Sequence, residues 1–255
     1  GTVSGAGRRE RTLRELQPYI EAARTFSGWS FPQIAVRHLE PGPPWDYEAI
    51  VRERLASARS VLDLGTGGAE FFVRVTQGFA GRIVATEEWH VNAPVARDAL
   101  RGRGALVRGS AERALPFADA SFDLVIDRHE AADMAEVARV VTPGGWFITQ
   151  QVAARNWCEL DAHFERAEFP DHFSVYQNEL RARGFTVKAR EHSWRVAYAS
   201  LGDIVYMLLV APWEIPGFDP AADIDALLAF EDADRTARGI EMTWHRYIIE
   251  ARKPW

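Results

Sequence analysis

Short apolar runs alternate with segments of helical spacing through the middle of the chain. Residues 122–127 are largely apolar, as in a strand that is buried on both faces, while residues 130–141 repeat apolar side chains three and four positions apart. This alternation predicts an α/β fold with a mostly parallel sheet and right-handed crossovers. The predicted strands are residues 60–64, 82–86, 105–108, 122–127, 146–151, 185–190 and 241–251. We therefore predict a Rossmann-like, doubly wound sheet of seven strands.

The two ends of the chain depart from this alternation and suggest three regions. Residues 1–7 are small and polar, and we expect a disordered lead. Residues 8–58 contain helical segments around a connector rich in proline and glycine, which predicts an N-terminal helical cap. Residues 59–255 form the predicted main domain. Helical patterns between its last two strands predict an insertion over about residues 194–239, which forms a lid on the active edge of the sheet.

Composition narrows the classes of partner. The net charge is −6 at pH 7, whereas nucleic-acid binders usually carry a basic surface, so nucleic acid is not the expected partner. Cys158 is the single cysteine, which excludes an intrachain disulfide and a cysteine-based zinc site. No metal motif stands out, and no apolar run approaches the roughly 20 residues that span a bilayer. We expect a cytoplasmic protein without a membrane segment; its oligomeric state stays open.

A glycine-rich turn follows the first predicted strand, and an acid follows the second. In Asp63-Leu64-Gly65-Thr66-Gly67-Gly68, the glycines allow a sharp bend and bring backbone N–H groups close to a ligand. Such a loop alone also occurs in nicotinamide and flavin enzymes and in plain tight turns. Glu87 lies some twenty residues on, where Rossmann-type folds place a carboxylate on ribose hydroxyls. Glu87 is preferred to Glu88 because side chains alternate along a strand.

Three motifs in this order resemble the class I S-adenosylmethionine-dependent methyltransferase family. They are Asp63-Leu64-Gly65-Thr66-Gly67, then Gly109-Ser110-Ala111-Glu112 leading into Asp119-Ala120-Ser121-Phe122-Asp123-Leu124-Val125, and finally Pro143-Gly144-Gly145-Trp146-Phe147. Nicotinamide dehydrogenases lack the last two. The later segments Leu201-Gly202-Asp203-Ile204-Val205-Tyr206 and Pro212-Trp213 are similar to a small bacterial subgroup of that family, to which we attach no substrate.

The resemblance implies S-adenosyl-L-methionine as cofactor and assigns its contacts. Asp63, Gly65, Thr66 and Gly67 would face the methionine part, and Glu87 the ribose. Ser110, Ala111 and Glu112 would lie beside the adenine, although Ser110 stands where the family often has aspartate. Asp127 would assist the cofactor. Ala69 replaces a frequent third glycine of the family's loop.

Polar residues follow the fourth and fifth strands, at the edge where open α/β sheets bind ligands. His129 is the first candidate for a base that deprotonates the acceptor, since its ordinary pKa lies near neutrality, and Glu130 is the second. Each also has a structural alternative, a helix-start residue bonded to backbone for His129 and a favourable charge at a helix N-terminus for Glu130. The candidate acceptor-binding residues are Trp29, Arg128, Gln150, Gln151, Arg195 and Tyr198.

These patterns favour methyl transfer to a small-molecule acceptor by in-line displacement, with the acceptor beside residues 127–130. One alternative is an RNA or protein methyltransferase, which requires a basic groove beside the cofactor. Another is a module that keeps the fold and the cofactor without methylating. The sequence leaves open the identity of the acceptor, its reacting atom and the need for a base.

Overall fold

The computed structural model describes residues 5–26, 34–168 and 171–255. The helices are α1 (Gly5–Arg24), α2 (Tyr47–Leu55), α3 (Glu70–Val75), α4 (Asn92–Ala99), α5 (Met134–Val140), a 3-10 helix (Cys158–Ala162), α6 (His172–Ala182), α7 (Leu201–Val210) and α8 (Ile224–Asp234). The strands are β1 (Val36–His38), β2 (Ser60–Leu64), β3 (Arg82–Glu87), β4 (Ala105–Arg108), β5 (Phe122–Arg128), β6 (Val141–Val152), β7 (Thr186–Tyr198), β8 (Arg235–Thr236) and β9 (Gly239–Arg252). Within the described residues, no helix is long and apolar enough to cross a membrane.

The predicted α/β sheet is confirmed. The strand order is β1-β7-β9-β6-β5-β2-β3-β4, and the short β8 pairs with β9. Seven principal strands correspond to the predicted seven, with β1 and β8 added. Strands β2 to β6 are parallel, and β9 is antiparallel to both of its long neighbours. The chain reverses its direction of winding between β2 and β5, which is the switch point where such sheets bind ligands.

Two boundaries differ from the sequence prediction. Strand β7 extends to Tyr198, and its ladder with β9 runs from Thr186 to that residue, so the helical insertion begins after position 198 rather than at 194. Burial of Trp194, Val196, Ala197 and Tyr198 on the ladder with β9 shows why this segment forms a strand. At the other end, α1 already includes Gly5–Gly7, so the prediction of a disordered lead is wrong there; residues 1–4 lie outside the described residues.

Helix α1 is anchored on the insertion instead of leading a separate domain. The guanidinium groups of Arg8 and Arg9 form bidentate pairs with Asp232 and Asp225 of α8. Pro18 lies inside α1 without ending it. The N-terminal helix and the late insertion therefore form one layer, which we call the cap: α1, α7 and α8.

The buried residues form three apolar clusters. One face of the sheet packs on α5 and α6, and the opposite face packs on α2, α3 and α4. The third cluster joins the cap to the outer parts of β7 and β9. Strand β6 ends its pairing at Val152, opposite Arg246, whereas β7 and β9 continue to pair as far as Tyr198 and Ile240. The β7–β9 ribbon thus extends past the carboxyl edge of the parallel strands and carries the cap there.

Candidate active site

The glycine-rich turn after β2 depends on left-handed backbone at three positions. Gly65, Gly67 and Ala69 have φ angles of 65°, 64° and 66°. Glycine adopts this conformation without strain, whereas Ala69 holds it as a fully buried alanine. Thr86 of β3 fixes the turn from the side: its Oγ1 accepts from the N–H of Gly65 at 3.2 Å.

Glu87 is held against this turn by backbone donors. Its Oε2 accepts from the N–H of Gly67 at 2.6 Å, and its Oε1 accepts from the N–H of Trp89 at 3.2 Å. Burial raises the pKa of Glu87, although these backbone donors oppose the shift. The neighbouring Glu88 is exposed, as strand alternation predicts.

Asp63 lies beneath the same turn and is 6% exposed. Thr66 donates its hydroxyl to Asp63 Oδ2 at 2.8 Å. Burial raises the pKa of Asp63 to about 7, and the charge of Glu87 adds to the rise, while Thr66 and Arg128 oppose it. A positive charge bound nearby would lower the pKa of Asp63 and favour its ionised form.

The side chain of Glu130 lies over Gly65. A Cβ added at Gly65 would overlap the Glu130 carboxylate, so the bare backbone of the glycine is what leaves room for this acid. Burial raises the pKa of Glu130 to about 7, with further contributions from Glu87 and Glu112. The structure thus places Glu130 against the glycine turn, on the cofactor side of the predicted site.

Asp127 ends the apolar part of β5 and is fully buried. Its Oδ1 accepts from the N–H of Glu130 at 3.1 Å, while its Oδ2 has no hydrogen-bond partner among the described residues. The hydroxyl of Tyr47, also buried, lacks a partner in the same set. Burial and the charge of Glu130 raise the pKa of Asp127 well above its ordinary value.

The predicted adenine segment forms a tight turn after β4. Ser110 Oγ accepts from the N–H of Glu112 at 3.2 Å, and the carbonyl of Ala111 accepts from the N–H of Asp133 at 2.9 Å. Ser110 and Ala111 are buried, and Glu112 is exposed. The segment is therefore tied to the start of α5 and follows the strand next to Glu87.

His129 adopts left-handed backbone, with φ at 69°, and its N–H donates to the carbonyl of Gln150 at 2.9 Å. The side chain is exposed. Surrounding protein nevertheless displaces water and lowers the pKa of His129 well below its usual range, and the charges of Arg246 and Arg128 lower it further. The lowered pKa leaves this imidazole neutral at pH 7.

The two glutamines of β6 point to opposite faces of the sheet. Gln150 Oε1 accepts from the indole N–H of Trp45 at 2.8 Å. Gln151 donates through Nε2 to the carbonyl of Glu130 at 2.7 Å and to Thr149 Oγ1 at 2.9 Å. Gln150 therefore shares the face of Arg128, whereas Gln151 supports the turn behind Glu130.

Of the remaining predicted acceptor-binding residues, only Arg128 lies at residues 127–130 in the structure. Arg128 is exposed at the end of β5, with its guanidinium carbon 5.1 Å from the Phe71 ring centre. Arg195 is paired with Glu159, outside the 127–130 segment. Tyr198 is 1% exposed, and its hydroxyl accepts from the indoles of two tryptophans in the cap cluster. Trp29 lies outside the described residues.

Sequence reasoning missed three contributors to the site: Tyr47, Thr86 and Arg246. Thr86 alone carried a local signal, since it directly precedes Glu87. Tyr47 comes from the N-terminal region and reaches Asp127 and Asp63 only through packing. Arg246 lies on the last strand, which the sheet order brings two strands from β5.

The arrangement fits a nucleoside cofactor that carries positive charge. The glycine turn provides bare backbone, Asp127 provides a buried oxygen without a partner, and Asp63, Glu87 and Glu130 surround the turn with carboxyl groups. Burying several acids together is costly unless a cation compensates them. Among the described residues, no group of three histidine, cysteine, aspartate or glutamate side chains could hold a metal ion.

Comparison with known proteins agrees with this geometry. Residues 62–149 match the family model described as a methyltransferase domain, a range that includes the glycine turn, Glu87 and Thr149. No curated protein matches the chain.

Three solved structures are similar in fold. A functionally unknown protein from Deinococcus radiodurans R1 is 18% identical, with a TM-score of 0.63, covering 93% of this chain and 99% of its own. A proposed methyltransferase from Bacillus halodurans C-125 is 19% identical, with a TM-score of 0.55, covering 82% and 99%. The [4+2]-cyclase SpnF is 18% identical, with a TM-score of 0.53, covering 95% and 94%.

At these identities the solved structures show the fold alone. The family model adds a match to a methyltransferase domain over the part of the chain that holds the three motifs and the glycine turn after β2. Residues 62–149 of this chain, about a third of its length, therefore match a methyltransferase domain.

Proposed function

We propose that the protein transfers the methyl group of S-adenosylmethionine to a small-molecule acceptor beside residues 127–130. The observation that carries this proposal is the position of His129, an exposed imidazole directly before Glu130, whose carboxylate lies against Gly65. The acids around the glycine turn, Asp63, Glu87 and Glu130, form what we call the acidic cradle. An acceptor beside His129 would lie between the cofactor and the cap.

The residues of the cradle would bind and orient the cofactor. Asp63 and Glu130 would face its positively charged methionine part, and Glu87 would accept from the ribose hydroxyls. Ser110 and Ala111 would lie beside the adenine. Bound S-adenosylmethionine would supply a methyl group on a positively charged sulfur, which an acceptor lone pair displaces in line.

His129 would accept the proton that a hydroxyl or protonated amine loses as it is methylated. Its lowered pKa keeps the imidazole unprotonated at neutral pH, so a ring nitrogen has a free lone pair, while the same shift makes the ring a weaker base than an ordinary histidine. Glu130 is the second candidate, but its carboxylate lies over Gly65 and its raised pKa leaves it partly protonated. The cap would exclude water from the acceptor. Phe26, just after α1, contacts Tyr206 of α7 and Trp89 beside Glu87, with ring centres 6.4 and 5.9 Å apart, and so links the cap to the cofactor side.

A small acceptor is favoured by the cap and by the charge of the chain. The β7–β9 ribbon and the cap extend past the carboxyl edge, where a macromolecule would need open access. The net charge of −6 also disfavours an RNA acceptor.

The likeness to the cyclase SpnF supports a second candidate, in which the protein keeps the fold without methylating. Incubation with methyl-labelled S-adenosylmethionine and pooled small metabolites separates the two. Transfer of label to a small product, with release of S-adenosylhomocysteine, supports methyl transfer. Binding of the cofactor without any transfer supports the second candidate, and no binding of S-adenosylhomocysteine at millimolar concentration overturns both.

A further inference from the structure

We propose that the acceptor carries an anionic group, a carboxylate or a phosphate, which Arg128 and Arg246 bind from two sides. This inference rests on the proposed function, because it names the class of acceptor for the same site. It begins from two arginines that share one face of the sheet and flank His129.

The register of the strands brings the two arginines together. Arg128 is opposite Gln150, and Gln150 is opposite Ile248. Arg246 precedes Ile248 by two residues on β9 and therefore lies on the same face of the sheet. With strands about 4.8 Å apart, their backbones lie roughly 10 Å apart across the sheet and about 7 Å apart along it. Two long side chains at this separation can reach one small anion between them.

Neither arginine has a carboxylate partner. Among the described residues, no aspartate or glutamate oxygen lies within 4.0 Å of either guanidinium, whereas Arg139, Arg166 and Arg195 each form an ion pair. Arg128 instead lies near the rings of Tyr47 and Phe71, at 5.5 and 5.1 Å. Its forked donors are therefore available to an incoming oxyanion.

Arg246 is the more deeply placed of the two. Its Nη1 donates to Asn156 Oδ1 at 2.6 Å and to the carbonyl of His245 at 3.0 Å, and its guanidinium carbon lies 5.1 Å from the Trp244 ring centre. No hydrogen bond between described residues uses its Nε or Nη2. Burial lowers the pKa of Arg246 to about 10, and the nearby charge of Arg128 contributes to this. An anion between them would relieve that repulsion.

The charges along the carboxyl edge are separated by sign. Acids surround the glycine turn after β2, whereas Arg128 ends β5, neutral His129 follows it, and Arg246 lies opposite the end of β6. A cation is favoured beside the glycine turn, and an anion is favoured between the two arginines. The anionic part of the acceptor would thus anchor it while its nucleophilic atom stays near His129.

Titration of the S-adenosylhomocysteine-saturated protein with benzoate and with inorganic phosphate, followed by calorimetry, tests this. We expect one of the two probes to bind, and the tighter one identifies carboxylate or phosphate as the anchor. Arg246→Met and Arg128→Met should each weaken that probe by about tenfold or more. Arg103→Met, at an exposed arginine outside the site, is the matched control and should bind as the parent does. Arg246→Gln provides a second variant if Arg246→Met fails to fold.

Binding of neither probe, or unchanged binding in both arginine variants, overturns the inference while leaving the cofactor assignment intact. Loss of S-adenosylhomocysteine affinity in Arg128→Met without loss of probe affinity also overturns it, because Arg128 would then hold the methionine carboxylate. Failure of the parent protein to bind S-adenosylhomocysteine would instead refute the proposed function. Titration of benzoate and phosphate into the protein alone would then still show whether the two arginines bind an anion.

Discussion

The carboxylate of Glu87 accepts a hydrogen bond from the backbone N–H of Gly67 at 2.6 Å. The acid at the end of β3 therefore supports the turn at the end of β2 as well as facing the predicted ribose position. The side chain of Glu87 would therefore link the shape of the turn to the affinity for the cofactor.

Replacing Glu87 should weaken cofactor binding in two ways. Glu87→Ala removes both the ribose contact and the support of the turn, and we expect a loss of roughly 1–3 kcal/mol in S-adenosylhomocysteine affinity by calorimetry. Glu88→Ala, at the exposed neighbour, is the control and should bind as the parent does. Equal affinity of Glu87→Ala and the parent would move the ribose contact elsewhere.

Cofactor affinity should rise between pH 6 and pH 8. Asp63 and Glu130 have pKa values raised to about 7, so at pH 6 both are largely neutral and at pH 8 largely ionised. A cation binds the ionised form better, so binding of S-adenosylmethionine at pH 7 should release protons. Calorimetry in buffers of different ionisation enthalpy measures this release. A pH-independent affinity without proton release would contradict the proposed placement of positive charge.

Asp63→Asn should stabilise the free protein while weakening the cofactor complex. Because burial raises the pKa of Asp63 above its unfolded value, its ionisation opposes folding, and this loss of stability develops as pH rises from about 4 to about 7. At pH 8 we expect Asp63→Asn to gain about 1–3 kcal/mol in free energy of unfolding, since a tenfold change in proton affinity corresponds to about 1.4 kcal/mol. Urea unfolding at pH 4 and pH 8 tests this; a gain of equal size at both would point to packing instead.

His129→Gln should lower turnover much more than cofactor affinity. Loss of a positioned base costs about 10²- to 10⁴-fold in rate, whereas the imidazole lies on the acceptor side of the cradle. Turnover is measured on the acceptor found by labelling, and S-adenosylhomocysteine affinity by calorimetry. His172→Gln, on α6, serves as the control. A variant that turns over at the parent rate removes His129 as the base.

Gly202→Ala should loosen the cap, because a Cβ at this position would overlap the ring of Tyr19 where α7 packs on α1. We expect a cost of about 1–3 kcal/mol in free energy of unfolding. Gly42→Ala is the matched control, since the space around Gly42 is open. If both variants unfold at the same denaturant concentration, α1 and α7 do not depend on this close approach.

The seven principal strands and the glycine turn could be read from local patterns. Continuous apolar runs such as the one in β5 belong to strands that are buried on both faces, and a sharp bend needs glycine wherever it occurs. The positions of Glu87 and of the two glutamines on their faces followed from strand alternation in the same way. These features depend on residues that are near each other along the chain.

The length of β7 and the anchoring of α1 could not be read in that way. The segment that ends at Tyr198 forms a strand because it pairs with β9 in a 13-residue ladder and because Trp194, Val196 and Tyr198 are buried in the third apolar cluster. Helix α1 is held by α8, more than two hundred residues later. Such contacts leave no local periodicity by which to predict them.

The sequence by itself determined the fold class, the glycine turn and the acid beside it, because each is a requirement of neighbouring residues on backbone conformation and burial. Only the tertiary structure decided which side chains lie together at the carboxyl edge of the sheet. It turned Glu130 over Gly65, brought Tyr47 to Asp127, and set Arg246 on the same face as Arg128. The order of strands in the sheet determines these distances, and that order is a property of the packed chain.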